Sequence, residues 1–301
     1  MDRSSKVPSA ADALARLAPG ATLAIGGAMF HNKPMALVRE IVRLGVTGLD
    51  VIGVPQASMD VDLLIAAGCA RQIRVPYLGF DHLGLAPAFR QAARDATIAI
   101  WECDETQLLA GLEASAKDVP SALVKTGVGT DLPRLNPDLK LMEDPITGEP
   151  IVAVAAIRPD VAIIHAAAGD AYGNLAYAGY AFGDLLLAEA TKRAGGVVIA
   201  SVDELVSVAK ADRDPFRTDI PHFLVDAVVE APYGAHPCSS HGNYQQDEDG
   251  LKAYLAAVNG GAATFERYLA EFIHAPATQE DYLDAAVKPS RLVQMRRGIH
   301  G

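Results

Sequence analysis

Glu102, Asp104 and Glu105 stand within four residues of one another. A carboxylate at the mouth of an apolar pocket is harder to ionise and can serve as a general base, so Glu102 and Glu105 are candidate catalytic groups. The same acidic edge precedes residues 106–116, which read as a helix, and acidic side chains at a helix start are favoured on electrostatic grounds alone. Two glycine turns are candidates for holding substrate. Gly26-Gly27, with Phe30 close behind, and Gly127-Val128-Gly129 could bring backbone N–H groups close to a ligand, although a tight packing turn has the same sequence. His236, in Tyr233-Gly234-Ala235-His236-Pro237, could be a base or a histidine that orders its loop. His165 closes an apolar run and reads as structural or as lying at the site margin. Cys69, Cys103 and Cys238 are scattered and odd in number, and His82, His236 and His241 have no carboxylates at a recurring interval. Neither a metal centre nor a redox cofactor is expected.

The elements that must position these groups alternate. Leu23-Ala24-Ile25 reads as a buried strand running into Gly26-Gly27, and Pro34 opens a helix on which Met35, Leu37, Val38, Ile41 and Val42 recur at helical spacing. Ligands of open α/β sheets sit at such strand-to-helix turns. Neither the dinucleotide glycine fingerprint nor Walker spacing is present. Strands follow at 49–54, 73–78 and 97–101, and helices at 61–67 and 87–93; Phe80, just past the third strand, is placed on the substrate side. Residues 126–150 hold so many glycines and prolines that they read as lacking regular structure, a long functional loop or a subdomain connection. Strands at 151–156, 161–166, 197–200 and 226–230 and a helix at 185–193 complete the pattern. A helix pair over 250–275, broken near Gly260-Gly261, and a basic flexible tail close a helical C-terminal part, 250–301, of one domain.

Half of the residues are hydrophobic and only 6% aromatic, which suits parallel strands covered by alanine-rich helices. The expected fold is an open, mostly parallel α/β sheet with flanking helices. A net charge of −11 argues against a nucleic-acid surface. No signal peptide and no run of about 20 apolar residues is visible, so a soluble cytoplasmic protein with no membrane partner is expected.

Four ordered blocks carry a resemblance. They are Ile25-Gly26-Gly27-Ala28-Met29-Phe30 with Lys33-Pro34; Lys125-Thr126-Gly127-Val128-Gly129-Thr130; Asp160-Val161-Ala162-Ile163-Ile164-His165-Ala166; and Ala231-Pro232-Tyr233-Gly234-Ala235-His236-Pro237. Together they resemble the alpha subunit of family I coenzyme A transferases, of the glutaconate CoA-transferase type. At the glycine loop, where the family usually has Gly-Gly-Phe, this chain inserts Ala28 and Met29. The resemblance implies the fold shared with sugar-phosphate isomerases, a coenzyme A thioester as substrate with no tightly bound cofactor, and an α₂β₂ assembly. Its beta subunit would carry the nucleophilic glutamate, and the Ser-Glu-Asn-Gly motif of that partner is absent here. It further implies that Gly26, Gly27, Phe30, Gly127, Val128 and Gly129 line the substrate. The Glu102-x-Asp104-Glu105 pattern is similar to the alpha subunit of a hydrolase branch that cleaves carbon–carbon bonds in CoA-linked steroid ring fragments, where such a glutamate acts. A non-enzymatic effector-binding protein and an isomerase acting without a partner are the other readings of the fold.

Overall fold

The structure, a computed structural model, describes residues 4–207 and 218–297. Strands β1 (Thr22–Ile25), β2 (Leu49–Gly53), β3 (Ala70–Arg74) and β4 (Ala99–Ile100) run parallel, and α2 (Met35–Arg43), α3 (Met59–Ala66) and α4 (Pro87–Arg94) connect them, after a short α1 (Ala10–Leu14). Beyond α5 (Glu105–Ala116) the chain builds β5 (Ser121–Val124), α6 (Leu132–Leu135), β6 (Leu139–Glu143) and β7 (Pro150–Ala155), then returns to the main sheet as β8 (Val161–Asp170). The short β9 (Leu175–Ala176) pairs antiparallel with β8, and α7 (Asp184–Arg193), β10 (Val197–Val206) and β11 (Ala227–Glu230) follow. The order across the main sheet is β11-β10-β8-β1-β2-β3-β4.

Both faces of this sheet are covered, and alternate residues serve different cores, as the two-residue period of a strand requires. Leu23, Ile25, Val51 and Ile163 pack with α2, α3 and the C-terminal helices, whereas Ala24, Ile52, Ala162 and Ile164 face α5 and α7. Those C-terminal helices are α8 (Glu248–Asn259), α9 (Ala262–Leu269), α10 (Gln279–Ala286) and α11 (Pro289–Arg297). Among the described residues no helix is long and apolar enough to cross a membrane.

Two expectations are corrected. Residues 126–150 are not devoid of regular structure. Pro133 sits in the first turn of α6, where its missing N–H is harmless, and a turn over Pro145-Ile146-Thr147, closed by the Asp144 N–H donating to Glu149 O, joins β6 to β7, which pairs antiparallel with both β5 and β6. Breakers here start and stop short elements. The basic C-terminal tail is helical as far as Arg297, with Met295 buried; 298–301 lie outside the described residues.

Candidate functional site

β1 is the point at which the sheet changes direction: β2, β3 and β4 are added on one side of it and β8, β10 and β11 on the other. Crevices at the carboxyl ends of strands flanking such a switch are where open α/β sheets bind ligands. Gly26-Gly27 leaves β1 at that point, Val54-Pro55-Gln56 leaves β2, and Glu102 to Glu105 leaves β4.

Gly26 and Gly27 are glycines for local reasons. A Cβ on Gly26 would land on the Asp184 carboxylate, and Gly27 has φ +75° with the His31 and Asn32 backbone packed against it. The turn is held from both sides. Asp184, the first residue of α7, accepts the Gly27 N–H through Oδ1 at 2.7 Å and the Tyr177 hydroxyl through Oδ2 at 2.7 Å. Lys33, fully buried, donates to the carbonyls of Gln56 at 2.8 Å, Gly26 at 3.2 Å and Gly27 at 3.3 Å, and its ammonium lies 3.1 Å from Asp60. One cation thus ties the loop after β1 to the loop after β2. Desolvation pushes the Asp184 carboxyl up to about 6, although the Gly27 and Tyr177 hydrogen bonds oppose the shift.

The glycine edge uses nearly all of its N–H groups internally. Gly26 N–H bonds Ile163 O, Ala28 bonds His31 O, Met29 bonds Gln56 O, His31 bonds Ala28 O and Asn32 bonds Ser239 O. From Gly26 to Asn32 the Phe30 N–H is the main-chain donor for which the described residues supply no acceptor. It follows Met29, whose φ of +53° is unusual for a side chain of that size. The Phe30 ring is buried against Phe80.

Glu105 is exposed in the first turn of α5, and its Oε2 is 3.5 Å from the Gln56 amide nitrogen, which brings it to the glycine edge. Glu102 is exposed and takes no part in that contact; its carbonyl accepts from Asn136. The helix cap is Asp104, which exchanges hydrogen bonds with Gln107 in a capping box. Gln107 in turn donates to Thr126 O, so the Gly127-Val128-Gly129 turn is anchored to the start of α5. Phe80 has no exposed surface, stacking on Tyr254 in the core, and so presents nothing to a ligand in this conformation. His236 is buried away from the edge. Its ring nitrogens meet Tyr282 at 2.8 Å and Asp247 at 3.1 Å, and burial lowers its pKa. This is a loop-ordering histidine. His165, also buried, meets Ser201 and Asp203. Among the described residues no group of three or more His, Cys, Asp or Glu side chains is placed to hold a metal ion.

Gln56, His31 and Asp184 do not stand out in the sequence, and Lys33 enters only as part of a block. A signal exists for the buried pair: Asp60 and Asp62 interrupt an otherwise apolar helix, and both are fully buried. Asp62 bonds the Ala88 and Phe89 N–H groups and Tyr254, while Asp60 faces Lys33.

Comparison with known proteins agrees with this geometry. Residues 7–231 match the coenzyme A transferase family model. A protein of Archaeoglobus fulgidus is 33% identical over 299 residues; the match covers 98% of this chain, which spans 65% of that relative's length. The cholesterol ring-cleaving hydrolase IpdA subunit of Rhodococcus jostii is 33% identical, with 92% and 94% of the two chains covered. The A-type chain of glutaconate CoA-transferase from Acidaminococcus fermentans is 30% identical, with 97% and 95% covered. The crystal structure of that bacterium's glutaconate CoA-transferase superimposes with a TM-score of 0.88 at 29% identity, covering 97% and 96%. The chain belongs to the coenzyme A transferase family, as a chain of its alpha type.

Proposed function

We propose that this chain is the alpha subunit of a heteromeric enzyme that moves coenzyme A between an acyl-CoA and a carboxylic acid, and that a beta subunit supplies the nucleophilic glutamate in an α₂β₂ assembly. The observation that carries the reading is the rigid glycine edge at the sheet's switch point, in a chain whose whole length follows glutaconate CoA-transferase. In such a reaction a carboxylate attacks the thioester carbonyl, the CoA thiolate leaves, and an acyl–enzyme anhydride forms; the thiolate then attacks the enzyme's carbonyl of that anhydride, giving an enzyme thioester and releasing the acyl group as its free carboxylate. A carboxylate is a weak nucleophile, so the site must position it and stabilise the oxyanion. On this chain the Phe30 N–H and the Gln56 amide are the donors best placed for that work, and Lys33 and Asp184 keep them in register.

Glu105 stands at the same edge, yet a carboxylate in the first turn of α5 is favoured by the helix itself, which weakens the ring-cleaving reading. The test is direct. The chain is co-expressed with the product of the neighbouring reading frame and given an acyl-CoA plus acetate, and the products are followed by mass spectrometry. Acetyl-CoA is expected. Consumption of the acyl-CoA without acetyl-CoA would overturn the transferase reading in favour of hydrolysis.

A further inference from the structure

His31 closes the glycine turn, and its side chain points away from the core into a cluster of exposed rings. It stacks on Phe182 with centroids 5.8 Å apart and meets His241 edge-on at 5.2 Å. Tyr180, 73% exposed, and Phe182, 40% exposed, belong to the segment just before α7. That segment overhangs the sheet edge, because Gly183 packs on Val54 and Asp184 on Gly26. Asn32 fastens it there by donating to Tyr180 O at 2.8 Å while accepting the His241 N–H at 2.7 Å.

The Ser239 hydroxyl has one proton to give and lies 2.6 Å from His31 Nδ1 and 3.0 Å from Phe30 O. When that proton goes to Phe30 O, His31 carries its own proton on Nδ1. Nε2 then carries a lone pair, and the described residues give it no donor. Burial lowers the His31 pKa, and the neighbouring His241 disfavours a second positive charge, so both act in favour of the neutral ring. His241 and the Tyr180 phenol are the titratable groups in this ring cluster, with no carboxylate among the influences on His31. His241 accepts the Tyr180 N–H at Nδ1, 3.0 Å away, so in its neutral form its proton is on Nε2.

We propose that His31 is the hydrogen-bond acceptor at the mouth of the substrate site, and that it selects acids carrying a hydroxyl or enol O–H over acids carrying a second carboxylate. A neutral Nε2 accepts from an O–H and repels a carboxylate lone pair. Ser239 is a positioning residue, acting by holding the tautomer. This selection rests on the transferase reading above.

The test uses the chain together with its beta partner, and 4-hydroxybutyrate, butyrate and succinate as CoA acceptors. At pH 7.5 the hydroxy acid should exceed butyrate in kcat/KM by about 5–10-fold, the worth of one hydrogen bond, with succinate poorest. His31→Phe should bring the hydroxybutyrate-to-butyrate ratio near one, and His31→Gln should restore part of it. Ser239→Ala should lower the ratio without removing the imidazole. An unchanged ratio in His31→Phe, or a preference for succinate at pH 7.5, would overturn the proposal. A complex that transfers CoA to no acid defeats the transferase reading itself. The tautomer is decided separately by ¹⁵N NMR of histidine-labelled chain: an unprotonated Nε2 on His31 supports the assignment, and a protonated one ends it.

Discussion

Lys33 and Asp60 are both fully buried, and neither would be tolerated alone. Lys33→Met should leave Asp60 uncompensated and three carbonyls without their donor, a loss of about 3–5 kcal/mol by urea unfolding. Adding Asp60→Asn should recover part of that loss, because the stranded charge is then gone. Asp184 has the opposite logic. Its carboxyl sits at 3.8 in the unfolded chain and about 6 in the folded one, so between those values the folded state holds a proton that the unfolded state has lost. The stability linked to that proton is complete below 3.8 and is lost as pH rises through about 6. Asp184→Asn cannot ionise, so relative to the parent it should gain up to about 3 kcal/mol between pH 4 and pH 7.5, as read by denaturation at both values. At the site, Glu105→Gln separates two chemistries. A transferase whose nucleophile is on its partner should keep most of its rate, whereas a hydrolase using Glu105 should lose nearly all of it. Sequence patterns point to Glu105 and the glycines because glycine loops and acidic helix starts are local signals. Asp184 and His31 escape them because their meaning depends on residues some 150 to 200 positions away.

At the scale of elements, legibility follows burial. β1, β2, β8, β10 and β11 are readable as apolar runs because parallel strands are covered on both faces. β6 is not: Lys140, Leu141, Met142 and Glu143 lie exposed on a small antiparallel sheet, so their pattern carries no core-facing stripe. The pairing with β7, not hydrophobicity, sets that strand. α5 matters most for the site, since its first turn carries Glu105 and its cap reaches the second glycine turn. Asp104→Ala should cost about 1 kcal/mol in stability through the lost cap. It should also loosen Gln107, whose amide holds Thr126 O. Faster hydrogen exchange across 126–130 in that variant would be the measurable sign. Unchanged exchange there would mean that the turn is held by other contacts.

At the scale of the molecule, the candidate edge is open. Glu105, Tyr180 and Phe182 are exposed and Gln56 is half-buried, whereas acyl transfer through an anhydride requires water to be kept out. Among the described residues this chain offers donors and a rigid floor but no cover over them, and in the proposed assembly the partner supplies the missing wall. Tyr180 and Phe182 are the kind of exposed aromatic side chains that anchor protein interfaces. A stoichiometric expectation follows: the isolated chain should transfer no CoA, and activity should rise linearly as partner chain is added and level off at one partner per chain. Because the rings beside the edge would then be covered, Tyr180→Ser should raise the partner concentration needed for half-maximal activity about tenfold or more, while the plateau rate changes less. Activity from this chain alone would show that its open edge is already a complete site, and would move the nucleophile onto the chain itself.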